Sequence, residues 1–172
     1  MTSVSFQGER GAYSEAAAKS FFDDNIQTIP LPTFSDILQN TSKDISEYAI
    51  LPVENSLEGS VGESYDLLYS TDLNVTGETY QKIEHCLIGI GKLEEVDTVY
   101  SHPQALGQCR NFIEKYKMKT IPTYDTAGSV KIIKELKEKN CACIASKEAA
   151  KISNMPIINE NIANNLNNFT RF

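Results

Sequence analysis

Residues 98–116 read TVYSHPQALGQCRNFIEKY, and the fold class turns on them. Val99 and Tyr100 make an apolar β-like run, and Ser101 and His102 form a short polar turn. Pro103 stands where a helix opens, since its missing N–H costs nothing at the first helical position. Leu106, Cys109 and Ile113 then share one helical face, and either Ser101 or His102 can supply the cap. A strand, a polar turn and an amphipathic helix in immediate succession form the repeating half of an α/β fold.

The same pattern recurs about five times along the chain. In SVSFQGERGAYSEAAAKSFF, Val4 and Phe6 make strand, Gly8 and Gly11 loosen the turn, and Ser14 caps a helix carrying Ala17, Ala18 and Phe21. TFSDILQNTS gives a capped helix. YAILPVENSLEGSVGESYDLLYS gives a buried strand through Val53, a polar turn at Glu54, Asn55 and Ser56, and a helix ending near Tyr69. TIPTYDTAGSVKIIKELKEKN offers Asp125 or Thr126 as cap and Val130, Ile133 and Leu136 as the buried stripe, and CACIASKEAAKIS is the last unit.

Such alternation predicts an α/β fold with mostly parallel sheets flanked by helices, whose ligands sit beyond the carboxyl ends of the strands. NVTGETYQKIEHCLIGIG holds two β-like runs with no helix between them, and a return crossing falls near NMPIINENIA. Two lobes joined by two crossing strands are therefore expected, roughly residues 1–80 with 160–172 and roughly 81–159, with the ligand site in the cleft between them.

Composition narrows the function classes. Sixteen basic against twenty-three acidic residues leave a net charge of −7, which disfavours nucleic acid or an anionic membrane as partner. The apolar runs are far shorter than the ~20 residues of a membrane span. The amino terminus has no basic start followed by an apolar stretch, so the expected location is cytoplasmic. Cys86, Cys109, Cys141 and Cys143 have neither a disulfide-framework nor a paired zinc-ligand spacing. Cys141 and Cys143 alternate along a strand and read as reduced core residues.

Several polar residues stand where ligands are read. Glu54, Asn55 and Ser56 follow an apolar strand directly, and plain turn chemistry competes with a ligand role. His102 is either a general acid or, more simply, a helix cap. Asp125, Thr126 and Ser129 open a helix. The stretch GERGAYS lacks the spacing of a phosphate loop or a dinucleotide fingerprint, and no metal-ligand cluster or nucleophile elbow is visible. The terminal NNLNNFTRF carries Arg171, one of only three arginines against thirteen lysines, and a planar fork suits a carboxylate.

Taken together and in order, GERGAYSEAA, LPVENSLEGSV, SHPQALGQCR, DTAGSV, IASKEAA and NNFTRF resemble the prephenate dehydratase family over nearly the whole chain. The resemblance implies a lyase that removes water and carbon dioxide from prephenate to give phenylpyruvate in phenylalanine biosynthesis. It also implies a two-lobed fold like that of type II periplasmic binding proteins, a homodimer, and no cofactor or metal. The family's threonine falls on Thr170, as donor to the departing hydroxide with Glu54 as a relaying acid. Its arginine falls on Arg171, and its polar substrate contacts fall on Asn55, Ser56, Ser101, Gln104, Thr126 and Ser129. Ser14 joins the substrate contacts, and His102, Asp125, Asn168 and Phe172 form a supporting shell.

Arg171 has a competing structural role, pairing with an acidic side chain. Family members continue past this point into a further strand and an ACT domain that senses phenylalanine; residues 1–172 read as the catalytic domain without it. Arogenate dehydratase, acting on the amino-acid analogue, shares these motifs. A non-catalytic small-molecule binding module on the same fold is the remaining alternative.

Overall fold

A computed structural model describes residues 1–172 and shows the expected strand–helix alternation over much of the chain. The chain forms two units, one of residues 1–9, 13–83 and 167–172, the other of residues 10–12 and 84–166.

In the first unit, β1 (Ser3–Gln7) is flanked in parallel by β2 (Gln27–Leu31) and β3 (Tyr48–Ala49). Helices α1 (Tyr13–Phe22) and α2 (Phe34–Ser42) belong to this layer. Thr33 caps α2 by accepting from the backbone N–H of Asp36 at 3.1 Å. Ser14 lies within the first turn of α1 rather than capping it, because the helix already begins at Tyr13. Val4, Phe6, Ala17 and Ala18 are fully buried, whereas Phe21 is 42% exposed and packs edge-on against Phe22.

Beyond β3 the structure departs from the sequence expectation. The strand ends at Ala49, and Glu54 and Asn55, read as a turn, form a short strand β4 (Glu54–Asn55) that hairpins to β5 (Gly59–Ser60) ahead of α3 (Gly62–Ser70). With β6 (Tyr80–Lys82) they join a wholly antiparallel four-stranded sheet.

The second unit is built on a five-stranded sheet of order β11-β7-β10-β8-β9. Its elements are β7 (Cys86–Ile88), β8 (Thr98–Ser101), α4 (Pro103–Gln108), α5 (Arg110–Lys115), β9 (Lys119–Pro122), α6 (Ser129–Leu136), β10 (Cys141–Ala145), α7 (Lys147–Ser153) and β11 (Ile157–Asn159). β10, β8 and β9 run parallel, while β7 and β11 pair antiparallel. Every residue of β10 is buried: Cys141, Cys143 and Ala145 pack with α6 and α7, and Ala142 and Ile144 pack with Val99, Cys109 and Ile113. This two-sided burial is what a central strand with both sheet faces covered demands. The helix expected over residues 103–116 breaks at Cys109 into α4 and α5. Leu136, expected in the buried stripe of α6, is 40% exposed at the helix's last residue.

Gly11 explains part of the GERGAYS stretch. Its φ is +88°, and a Cβ there would lie 2.6 Å from Cα of Ala149. Its carbonyl accepts from the Ser146 hydroxyl at 2.6 Å, and that same Ser146 caps α7. The glycine therefore serves close backbone approach rather than phosphate binding. β12 (Phe169–Arg171) returns the chain to the first unit, between β4 and β6 in the antiparallel sheet. No helix is long and apolar enough to cross a membrane.

Candidate active site on the returning strand

β12 sets three consecutive residues in register with β6 and the last two of them in register with β4 as well. Thr170 lies opposite Asn55 on β4 and Gln81 on β6; Arg171 lies opposite Glu54 and Tyr80. Because successive strand residues face opposite sides, Thr170 and Arg171 do not share a face, although the sequence reading put both on one substrate. Each face of β12 has its own chemistry.

On the Thr170 face, the Asn55 side chain is the hub. Its Oδ1 accepts from the backbone N–H groups of Leu57 at 3.0 Å and Glu58 at 3.1 Å. Those donors fix which end of the amide is oxygen, since a backbone N–H can only donate. Its Nδ2 then donates to Asn168 Oδ1 at 2.7 Å, to Thr170 Oγ1 at 3.0 Å and to the Phe169 carbonyl at 3.2 Å. Asn55, Asn168 and Thr170 are all buried, Thr170 the least so at 9% exposed. Asn55, expected as a substrate contact, thus has both ends of its amide engaged within the protein.

On the opposite face, Arg171 Nη2 lies 3.1 Å from Glu54 Oε2 and Nη1 lies 3.4 Å from Glu78 Oε2, and Nη2 also donates to the Tyr65 hydroxyl at 3.4 Å. Desolvation works against the guanidinium's charge, but the Tyr65 hydrogen bond and the Glu54 carboxylate outweigh it and hold its pKa above the ordinary value. Glu54, expected to relay a proton to Thr170, is spent on Arg171 across the strand from it. Nothing local in the sequence marks Tyr65 or Glu78 as partners of Arg171; Tyr65 comes from α3 and Glu78 from the segment ahead of β6.

Among the remaining first-unit candidates, Ser56 and Phe172 hold the returning segment in place. Ser56 Oγ accepts from the Phe169 N–H at 2.9 Å and donates to the Asn167 carbonyl at 3.3 Å. Phe172 is buried, and its backbone exchanges two hydrogen bonds with Thr79. Ser14 is buried in the first turn of α1.

In the second unit, His102 is the cap of α4, its Nδ1 accepting from the Gln104 N–H at 3.2 Å. Ser101 and Ser129 are fully buried, and their hydroxyls donate to the carbonyls of Ile144 at 2.7 Å and Thr126 at 2.6 Å. Asp125 Oδ1 accepts from the Gly128 N–H at 2.5 Å in the turn ahead of α6, but the cap position is Gly128, so neither Asp125 nor Thr126 is the helix cap expected from the sequence. Gln104 is exposed and its side-chain amide makes no hydrogen bond. His85, which the sequence reading did not single out, is buried against Gln108 at 2.8 Å, and burial pushes its pKa below the ordinary 6.5. Burial likewise pushes the Cys109 and Cys143 thiols up to about 12.

A family model described as prephenate dehydratase matches residues 4–172. The chain belongs to the prephenate dehydratase family. It is 39% identical to an arogenate dehydratase/prephenate dehydratase of Arabidopsis thaliana over 98% of this chain and 43% of that protein. It is 38% identical to a bifunctional chorismate mutase/prephenate dehydratase of Buchnera aphidicola over 98% of this chain and 45% of that protein. It therefore spans less than half the length of these relatives.

Among solved structures, one described as a quorum-quenching acylase, GqqA, superposes with a TM-score of 0.89 at 32% identity, covering 99% of this chain and 62% of that one. A prephenate dehydratase from Arthrobacter aurescens in complex with L-Phe superposes with a TM-score of 0.88 at 22% identity, covering 99% and 59%. A periplasmic substrate-binding protein of an ABC transporter from Coxiella burnetii reaches a TM-score of 0.52 at 9% identity, which places the prephenate dehydratase fold beside that of the binding proteins.

Proposed function

We propose that residues 1–172 form the catalytic portion of a dehydratase that converts prephenate to phenylpyruvate, a carbon–oxygen lyase step toward phenylalanine. Membership in the family supports the reaction. The observation that carries the mechanism is the hydrogen bond from Asn55 Nδ2 to Thr170 Oγ1. A hydroxyl that accepts from an amide N–H keeps its own proton to donate, and no protein group takes that proton from Thr170.

In the reaction the bond between the ring and its carboxylate breaks and carbon dioxide leaves. The electron pair of that bond enters the ring, and the C–O bond opposite breaks with its pair on oxygen. The leaving oxygen takes one proton and departs as water, and aromatisation supplies the driving force. Thr170 gives a preorganised hydrogen bond to that oxygen as its charge develops, and its proton is replenished from solvent. Gln104, with a free side-chain amide, is the second-unit substrate contact with donors and acceptors to spare. Arg171 is held at its two Nη atoms by Glu54, Glu78 and Tyr65, which competes with its expected grip on a substrate carboxylate, while its buried Nε makes no hydrogen bond.

The acylase activity named for GqqA would need a nucleophile with a base bonded to its proton. Thr170 bonds an amide instead, so the lyase is preferred. A homodimer in the cytoplasm completes the proposal; the resemblance supports the dimer, and four free, buried cysteines accord with a reducing compartment. The test is to incubate the purified chain separately with prephenate and arogenate at neutral pH. Phenylpyruvate above the spontaneous rate is expected; phenylalanine from arogenate at a higher kcat/KM would reassign the substrate, and no product from either would overturn the proposal.

A further inference from the structure

We infer that Asn55 is a positioning residue that sets the direction in which Thr170 donates its proton. The inference rests on the proposed role of Thr170 and deepens it. A threonine hydroxyl can rotate and can donate to any acceptor in reach. On this face of β12 its immediate partner is Nδ2 of Asn55, at 3.0 Å. That nitrogen can only donate, so the Thr170 oxygen must accept and its proton is directed elsewhere.

Three further contacts prevent the amide from turning over. The backbone N–H groups of Leu57 and Glu58 demand an oxygen at the other end of the Asn55 side chain. Asn168 Oδ1, at 2.7 Å, takes the second Nδ2 proton. Turning the amide by half a revolution would set its nitrogen against two backbone donors and its oxygen against Asn168 Oδ1. The β4–β5 hairpin thus carries an orientation into the hydroxyl of β12, and Asn55 acts through Thr170 rather than on the substrate.

The substitution Asn55→Asp tests this role. A carboxylate keeps the acceptor for Leu57 and Glu58 and nearly the same shape, and it offers Thr170 an acceptor in place of a donor; it also sets an oxygen against Asn168 Oδ1 and the Phe169 carbonyl, which is why folding is measured beside turnover. The hydroxyl then donates to residue 55 and loses the proton it would give the leaving oxygen.

Steady-state kinetics with prephenate are measured on the full chain as wild type, Asn55→Asp, Thr170→Ala and the double variant, with circular dichroism to confirm folding. The expected result is a fall in kcat of about 10²-fold for Asn55→Asp, a KM within about twofold, and no further fall when Asn55→Asp is added to Thr170→Ala, as for groups that act as one unit. A raised KM with kcat preserved would make Asn55 a substrate contact and overturn the inference. So would an equal fall in both backgrounds. Wild-type turnover by folded Thr170→Ala would instead sink the role of Thr170 itself, and the inference with it. If Asn55→Asp does not fold, Asn55→Gln displaces both amide groups by one methylene and enters the same cycle with the same outcomes expected.

Discussion

At the scale of single residues, the site depends on which way a few polar atoms point. Thr170→Ala removes a buried hydroxyl that accepts one hydrogen bond, and Asn55 Nδ2 keeps Asn168 and the Phe169 carbonyl as partners. The stability cost is therefore about 1 kcal/mol, and the fold should persist by circular dichroism. Turnover of prephenate should fall by at least about 10²-fold, measured as phenylpyruvate release. Thr170→Ser, which keeps the hydroxyl, should retain most of the rate.

Thr170 and Asn55 were legible in the sequence as candidates, because Glu-Asn-Ser follows an apolar run and Thr-Arg-Phe is distinctive. Their mutual hydrogen bond was not legible, since 115 positions separate them and no local pattern encodes the pairing. Arg171 shows the same limit from the other side. An arginine fork suggests a carboxylate, but whether that carboxylate is a ligand's or the protein's own depends on register, which sets Glu54 opposite it. Both glutamates are at least half exposed, so solvent screening leaves the two pairs little effect on stability. Arg171→Lys should therefore leave the midpoint of urea unfolding nearly unchanged. A several-fold rise in KM for prephenate in that variant would restore the substrate role expected of Arg171; an unchanged KM would leave it as a partner of Glu54 and Glu78.

At the scale of elements, sequence patterns served best where a strand or helix is long enough to carry a repeating apolar pattern. β10 was readable because Cys141 and Cys143 alternate with Ala142 and Ile144, and α6 because Val130 and Ile133 recur at helical spacing. The strands of the antiparallel sheet were not readable: β4 and β5 are two residues each, too short for any periodicity, and they exist because β12 arrives to pair with β4.

Gly11 is a second case, in which a loop glycine looked like loose turn chemistry and proves to be a packing requirement. Gly11→Ala would force a Cβ to within 2.6 Å of the Ala149 backbone at a φ of +88°. The backbone of α7 cannot give way cheaply there, so a loss of about 2 kcal/mol or more is expected. Urea unfolding followed by fluorescence or circular dichroism would measure it, and a loss below about 0.5 kcal/mol would show that the approach of α7 to Gly11 is not maintained.

At the scale of the whole molecule, burial of groups that would rather be charged or reactive makes stability depend on conditions. Cys86, Cys109, Cys141 and Cys143 are all buried and free, and the thiols of Cys109 and Cys143 are pushed up to about 12, so native protein should leave at least those two unlabelled by a thiol reagent at about pH 8. His85 has the opposite sign of consequence. Burial lowers its folded pKa below 6.5 while the unfolded imidazole keeps that ordinary value. Between the two values the unfolded chain binds more protons than the folded one, so stability rises with pH across that window. The contribution is fully present above about pH 6.5 and is lost as pH falls toward the folded pKa. Thermal unfolding of the wild type should therefore give a lower Tm at about pH 5 than at about pH 7.5. His85→Gln, which cannot titrate, should be less stable at neutral pH yet show a smaller drop on acidification. An equal drop in both proteins would assign the acid sensitivity to groups other than His85.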